Sequence, residues 1–400
     1  MSAAIDAVRD EQTLDVGELA DRSAGVLERL RDSARAARAG DRREPTFPIG
    51  KAASLVGRST QAIREAEGDG RLIPPERGGN NRRMNYTLGQ INDMRGAFGT
   101  RPWRSPEDPC AVLAVQNFKG GVGKSTVSVH LAQYLAIHGY RVLLIDCDSQ
   151  ASATTLFGYV PDLDLDEEET LYPYLREGER DSLDYAIKKT HFDGLDLIPA
   201  NLRLFQSEYE LAARMARGQG ALLDRLAAGI ASVSDLYDVV ILDPPPALGA
   251  ISLSVLRAAN ALVVPVPPTV MDFSSTTAFL SMLDETISEL KGHDLAPQLK
   301  FLRFVASKVD EGKSMQKGLL DMMYQIYGNA MVRTPLKDSA EIDNATARLM
   351  TVYELDGPMT SKEVRNRCLT YLDGVCGEIE IDIRRIWPSH LGRLRKEGHA

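Results

Sequence analysis

The chain has 400 residues, 44% of them apolar and 26% charged, the balance of a folded globular protein long enough for two or three domains. A net charge of −9 excludes a polycation that coats nucleic acid by bulk charge, so any contact with DNA falls to local basic patches. Four cysteines without a CxxC pair, no run near the roughly 20 apolar residues that cross a bilayer, and an opening (MSAAIDAVRDEQT) without a secretory pattern predict a reduced, soluble, cytoplasmic protein.

Taken in chain order, residues 14–39 are rich in Ala, Arg and Glu, and Leu19, Val26, Leu27 and Leu30 fall at helical spacing. A single narrow apolar stripe predicts a helix over 1–40 that packs on its own chain or on a second copy. Residues 41–107 read as a small domain. A short helix carrying Ala52, Ala53, Leu55 and Val56 meets a turn at Gly57, and Ser59 caps a second helix with Ala62, Ile63 and Ala66 on its inner face. Two short helices about a glycine turn form a helix-turn-helix. It places Arg58, Thr60, Gln61 and Arg64 where base edges and backbone are met, and a Pro/Gly-rich wing carries Arg77, Arg82 and Arg83. The segment resembles a MerR-type winged helix, down to an R..Y ending at Arg83 and Tyr86.

The Pro- and charge-rich stretch 100–108 marks the next boundary. Beyond it, AVLAVQNF, RVLLID, LDLIPA, YDVVILD, ALVVPV and FLRFVASKV alternate with helical segments. Strands that are continuous apolar runs predict an α/β domain over 108–375, its mainly parallel sheet covered by helices on both faces. Residues 162–170 (DLDLDEEET) read as an acidic surface insertion, and 376–400 as a basic tail interrupted at Pro388.

The chemistry concentrates after the first of these strands, in KGGVGKST (119–126). Gly120, Gly121 and Gly123 let backbone N–H groups of the loop, Val122 included, turn toward phosphates at a helix N-terminus. Lys124 neutralises phosphate charge, the Ser125 hydroxyl ligates Mg²⁺, and Thr126 reaches the α-phosphate. IDCDSQ ends the next strand with Asp146 and Asp148, at the sheet edge where such folds bind ligands. Asp243 ends another strand as a carboxylate that holds Mg²⁺ through water, and Pro244–Pro246 force the chain out of the sheet as a switch-like loop.

A usual phosphate loop has glycine at position 118, where this chain has phenylalanine, and it has no counterpart of Lys119. The KGGxGK[ST] form resembles the deviant Walker A family of P-loop ATPases, which includes ParA and MinD. That resemblance implies that Lys119 reaches the partner's phosphates across a nucleotide-sandwich homodimer. It also implies that Asp148 positions the attacking water, with Asp146 as loop support or outer magnesium shell. Ser149 stands where the family's DxDPQ has proline. Ser307 and Lys308 of SKVD, with the loop at Pro335, would surround the base; the family implies ATP and ADP, and the residues alone leave GTP open.

P-x-P-P-x-x-x-D-F (265–273) and a DNA-binding segment ahead of the ATPase resemble the larger plasmid ParA proteins, including RepA of repABC plasmids. The resemblance implies plasmid or chromosome partition, repression of the chain's own operon, weak ATPase activity stimulated by DNA and a ParB-like partner, and association with the nucleoid. Operator DNA would be read by the winged helix, and nonspecific DNA by Arg333 and Lys337. A MinD-like membrane cycle is the alternative and requires an amphipathic C-terminal helix.

Overall fold

In a computed structural model of the chain, the described residues are 16–38, 42–79, 83–176, 180–215, 217, 223–292 and 297–399. They divide into two units, one ending at Arg43 and one running from Glu44. The first holds α1 (Val16–Arg38), with Glu18 in its first turn at the positive end of the helix. Val16, Leu19 and Val26 are exposed along it, while the side chains of Leu27 and Leu30 lie outside the described residues.

The second unit opens with β1 (Thr46–Phe47), paired antiparallel with β2 (Tyr86–Thr87). Between them lie α2 (Ile49–Val56) and α3 (Thr60–Gly68). α2 stops at Gly57, whose φ of +69° is the left-handed turn that glycine adopts without strain. α3 starts at Ser59, whose hydroxyl accepts from the Ala62 N–H at 3.1 Å. Ala52, Ala53, Val56, Ile63 and Ala66 are buried together with Tyr86, and with Ile91 and Met94 of α4 (Leu88–Phe98). Leu55 and Ala62, expected on the same inner faces, are only half-buried. A reciprocal capping box of Thr87 and Gln90 starts α4.

From Ala111 the chain builds β3 (Ala111–Val115), β4 (Val142–Asp146), β5 (Lys188–Lys189), β6 (Leu195–Ile198), β7 (Val239–Asp243), β8 (Ala261–Val266) and β9 (Phe301–Ala306). Among the described residues they form one sheet in the order β5-β6-β4-β7-β3-β8-β9. Every neighbouring pair is parallel except β5 on β6. The connecting helices are α5 (Lys124–Ile137), α6 (Ser152–Leu156), α7 (Pro161–Asp164), α8 (Tyr172–Leu175), α9 (Leu204–Met215), α10 (Arg225–Val233), α11 (Ala250–Ala258), α12 (Val270–Gly292), α13 (Ser314–Tyr327), α14 (Ala340–Ala347), α15 (Lys362–Ile386) and α16 (Pro388–Glu397). Alternation along β3 shows how both faces are covered. Ala111, Leu113 and Val115 pack with α5 and α15, while Val112 and Ala114 pack with α10, α11 and α12. Strands buried on both faces have no polar alternation to show, so the sequence reads as continuous apolar runs. Register sets Asp146 beside Asp243 at the carboxyl ends of β4 and β7.

The tail departs from expectation. The boundary placed at 375/376 falls inside α15, where Val375, Cys376, Ile379 and Ile383 are buried in the core on the α5 face. Trp387 is 0% exposed, and its indole N–H donates to the Pro109 carbonyl at 3.0 Å. Pro388 stands at N1 of α16, where a missing N–H removes no helical bond. Arg384 is bonded to Glu397 at 3.0 Å and Arg385 to Asp382 at 2.7 Å. Residues 376–399 are therefore a docked part of the sheet's helical cover, not a free basic extension. No helix of the described residues is long and apolar enough to cross a membrane.

Candidate nucleotide site

β3 delivers the chain to the loop that precedes α5. Asn117 fixes its start: the side-chain amide donates to the Pro265 carbonyl at 2.9 Å, and its oxygen accepts from the Lys119 N–H at 3.0 Å. Gly121 and Gly123 take φ of +76° and +95°, a turn closed to most side chains. Gly123 is also the N-cap of α5 and offers no side-chain cap, so the first-turn N–H groups face the site without one.

Lys124 is 7% exposed, and its ammonium lies 3.4 Å from the Lys119 carbonyl. Burial pulls its pKa down, against the opposing pull of Asp243 and Asp148. Asp243 is fully buried; one carboxylate oxygen accepts from the Ser128 hydroxyl at 2.9 Å, and the other has no partner among the described residues. Burial raises its pKa, while Ser125, Ser128 and Lys124 draw it the other way. Asp146 beside it is raised by burial and by the charge of Asp243. Its carboxylate accepts from the Thr154 N–H and hydroxyl at 2.8 and 2.7 Å, and from the Asp148 N–H at 3.1 Å. Two adjacent carboxylates in a dry site call for a cation. Ser125 and the open oxygen of Asp243 fit Mg²⁺, whereas Asp146 is engaged in shaping its own loop. Asp148 is 8% exposed and caps the next turn through the Gln150 N–H at 2.9 Å.

Lys119 sits apart from Lys124. Its ammonium pairs with Asp272, in the first turn of α12, at 2.6 Å. Ser307, expected beside the base, is instead wholly buried and donates to the Val122 carbonyl at 2.8 Å, so it shapes the phosphate loop. Lys308 is exposed with φ of +51°, and Pro335 is half-buried. Their segments run side by side, Leu336 donating to the Ala306 carbonyl at 2.8 Å and Val309 to the Leu336 carbonyl at 3.2 Å.

The basic candidates fall into two groups. On α3 and the turn before it, Arg58, Gln61 and Arg64 are exposed and Thr60 is half-buried at the start of the helix. Arg58 lies over the Phe98 ring at 5.7 Å and donates to its carbonyl at 3.2 Å; Gln61 donates to Glu65 at 2.8 Å. Arg83 is committed to Glu67 and the Tyr86 hydroxyl, so the R..Y ending ties the wing to α3; Arg82 lies outside the described residues. On the α/β part, Arg333 is exposed while its backbone N–H donates to Glu378 at 2.8 Å. Lys337, expected to be a free DNA contact, is paired with Glu311 at 2.6 Å and lies over the Tyr371 ring at 4.0 Å.

Protein SopA of Escherichia coli K12 is 38% identical over 343 residues, covering 83% of this chain and 86% of SopA. The chain belongs to the ParA-type family of P-loop partition ATPases. An AAA-domain family model matches residues 110–300. A solved structure described as a partition protein, 23% identical, superposes with a TM-score of 0.66 over 92% of this chain and 98% of that one, a likeness of fold. Cobyrinic acid a,c-diamide synthase from Mycobacterium smegmatis, solved with a bound ATP analog and magnesium, is 28% identical with a TM-score of 0.50 over 60% of this chain and 95% of its own.

In this ParA-type chain several residues that build the site carry no signal that sequence reading picks up. Asn117, Ser128 and Thr154 are ordinary polar residues whose partners come from distant elements. Asp272 stands in the P-x-P-P-x-x-x-D-F string, which marks it out without revealing that it faces Lys119.

Proposed function

We propose that this chain is an ATP-hydrolysing DNA-partition protein that segregates a plasmid or chromosome and represses its own operon. The observation that carries this reading is a convergence. An α5 N-terminus left without a side-chain cap by Gly123, two lysines, and a buried carboxylate pair with one unpartnered oxygen meet at the carboxyl edge of the sheet. Lys124 and the loop N–H groups hold the phosphates. Ser125 and Asp243 would hold Mg²⁺, which would supply charge that offsets both the phosphates and the facing carboxylates. Lys119 exchanges Asp272 for the partner's phosphates when an ATP-bound homodimer closes, so that its charge arrives only on assembly. Asp148 orients the attacking water, and turnover dissolves the dimer. Adenine lies between Lys308 and Pro335.

The segment 41–107 serves as the operator-reading domain, through Arg58, Thr60, Gln61 and Arg64 and the wing at Arg82 and Arg83. Arg333 and Lys337 contact nonspecific DNA, Lys337 after leaving Glu311. A ParB-like partner and DNA raise a weak intrinsic ATPase rate, and the protein is cytoplasmic and nucleoid-associated. A membrane cycle is disfavoured because Trp387 and Leu394, which an amphipathic anchor would present to lipid, are buried in the chain itself.

Steady-state ATP turnover tests the assignment. Lys124→Ala should abolish nucleotide binding and turnover. Lys119→Ala should retain binding and lose turnover by about a hundredfold or more, as when a cation supplied across an interface is removed. Undiminished turnover in Lys124→Ala contradicts the site.

A further inference from the structure

The segment Pro244–Gly249 leaves β7 at Asp243 and enters α11 at Ala250. Its first end is fixed by the sheet. Its last end is fixed from elsewhere, because Gly249 is the N-cap of α11 and offers no side-chain cap. Glu208 of α9 lays its carboxylate on that N-terminus instead, one oxygen accepting from the Ile251 N–H at 3.1 Å and the other from the Ala250 N–H. An anion on the positive end of a helix is a favourable cap.

Gly249 is what makes room for it. With φ of −107° and ψ of −171°, its backbone is ordinary extended chain that any residue adopts. A methyl at that position would overlap the Glu208 carboxylate. Space, not conformation, therefore calls for glycine, and the carboxylate, as the movable partner, would be the group displaced. The Ser252 hydroxyl of α11 donates back to the Ala247 carbonyl of the segment, and Pro246 stands 4.0 Å from where a Cβ on Gly120 would lie. Hydrogen bonds thus link Glu208 to the first turn of α11 and that turn to the proline segment, whose other end is Asp243 of the site.

We propose that Glu208 is a positioning residue for ATP hydrolysis, fixing the far end of the Pro244–Gly249 segment that leaves the site at Asp243, with Gly249 as its steric complement. This rests on the ATPase reading above. Nucleotide is held by Lys124 and the α5 N-terminus, which the change leaves intact, so releasing the segment lowers turnover and spares affinity.

The test uses the full chain as wild type, Gly249→Ala, Glu208→Ala, Glu208→Gln and the Gly249→Ala/Glu208→Ala double variant. It measures kcat and KM for ATP, and the affinity for a fluorescent ADP analogue. Each alanine variant should lose about tenfold in kcat while ADP affinity stays within about twofold. The double variant should match Glu208→Ala alone, since the added methyl has no carboxylate left to displace. Glu208→Gln, which keeps an acceptor oxygen, should recover part of the loss. An equal further loss from Gly249→Ala in the Glu208→Ala background overturns the pairing, as does ADP affinity falling in step with kcat. Absence of ATP turnover in the wild-type chain removes the ATPase reading and this inference with it.

Discussion

Lys119 and Lys124 are close in sequence and differ in environment, which is where the chemistry separates them. Lys124 is buried between the loop and the carboxylates, with its pKa drawn down by desolvation and its position set by α5. Lys119 is partly exposed and balanced by Asp272, whose own place is secured by exchange of hydrogen bonds with Thr269. In the proposed trans role, Lys119 has first to leave this pair. Asp272→Asn keeps an acceptor for the Thr269 hydroxyl and removes the charge that holds Lys119. It should lower the protein concentration needed for ATP-dependent dimerisation by about fivefold, the scale of a partly exposed ion pair, read by light scattering with ATP. Unchanged or weakened dimerisation would show that Asp272 does not restrain Lys119. KGGVGKST and the two strand-ending aspartates were legible because each motif depends on local spacing. Asp272, Glu208 and the inward turn of Ser307 were not, because each acts on a residue far away in the chain.

At the scale of elements, α5 links the site to the rest of the unit. Its first turn lies at the phosphate loop, and its last carbonyl, on Ile137, accepts from Arg95 of α4 at 2.6 Å. The same guanidinium donates to the Leu55 carbonyl in the last turn of α2 at 3.3 Å and to Asn92 at 2.5 Å. Arg95 is 1% exposed, and burial pulls its pKa to about 10. Gly139 makes room for it, since a Cβ there would lie 2.8 Å from the Arg95 side chain. The central strands were legible because burial on both faces writes them as apolar runs. β1, β2 and β5 were not, since two residues each carry no periodicity. The docking of α15 and α16 was missed for another reason: their basic surface masks an apolar stripe. If that docking holds the sheet's cover in place, Trp387→Ala should cost about 3–5 kcal/mol of unfolding free energy, seen as a lower urea midpoint at unchanged slope. A change near zero would mean the tail is dispensable to the core.

At the scale of the molecule, the helix-turn-helix and the ATPase sheet lie in one unit running from Glu44, with Arg95 bonded to both. That contiguity links the nucleotide site to the helices proposed to read the operator, through α5 and the last turn of α2. In the proposed function, local basic residues supply the DNA contact of a chain whose net charge is −9. The proposal assigns two modes of binding to two surfaces, one on α3 and the segment that follows it, the other near Arg333 and Lys337. The most direct measurement is binding of the purified chain to its upstream DNA and to a random duplex, each with ATP, with ADP and without nucleotide. The expected result is random-duplex binding with ATP alone, together with nucleotide-supported binding upstream. Absence of DNA binding in every state would contradict the partition reading and leave only the nucleotide site standing.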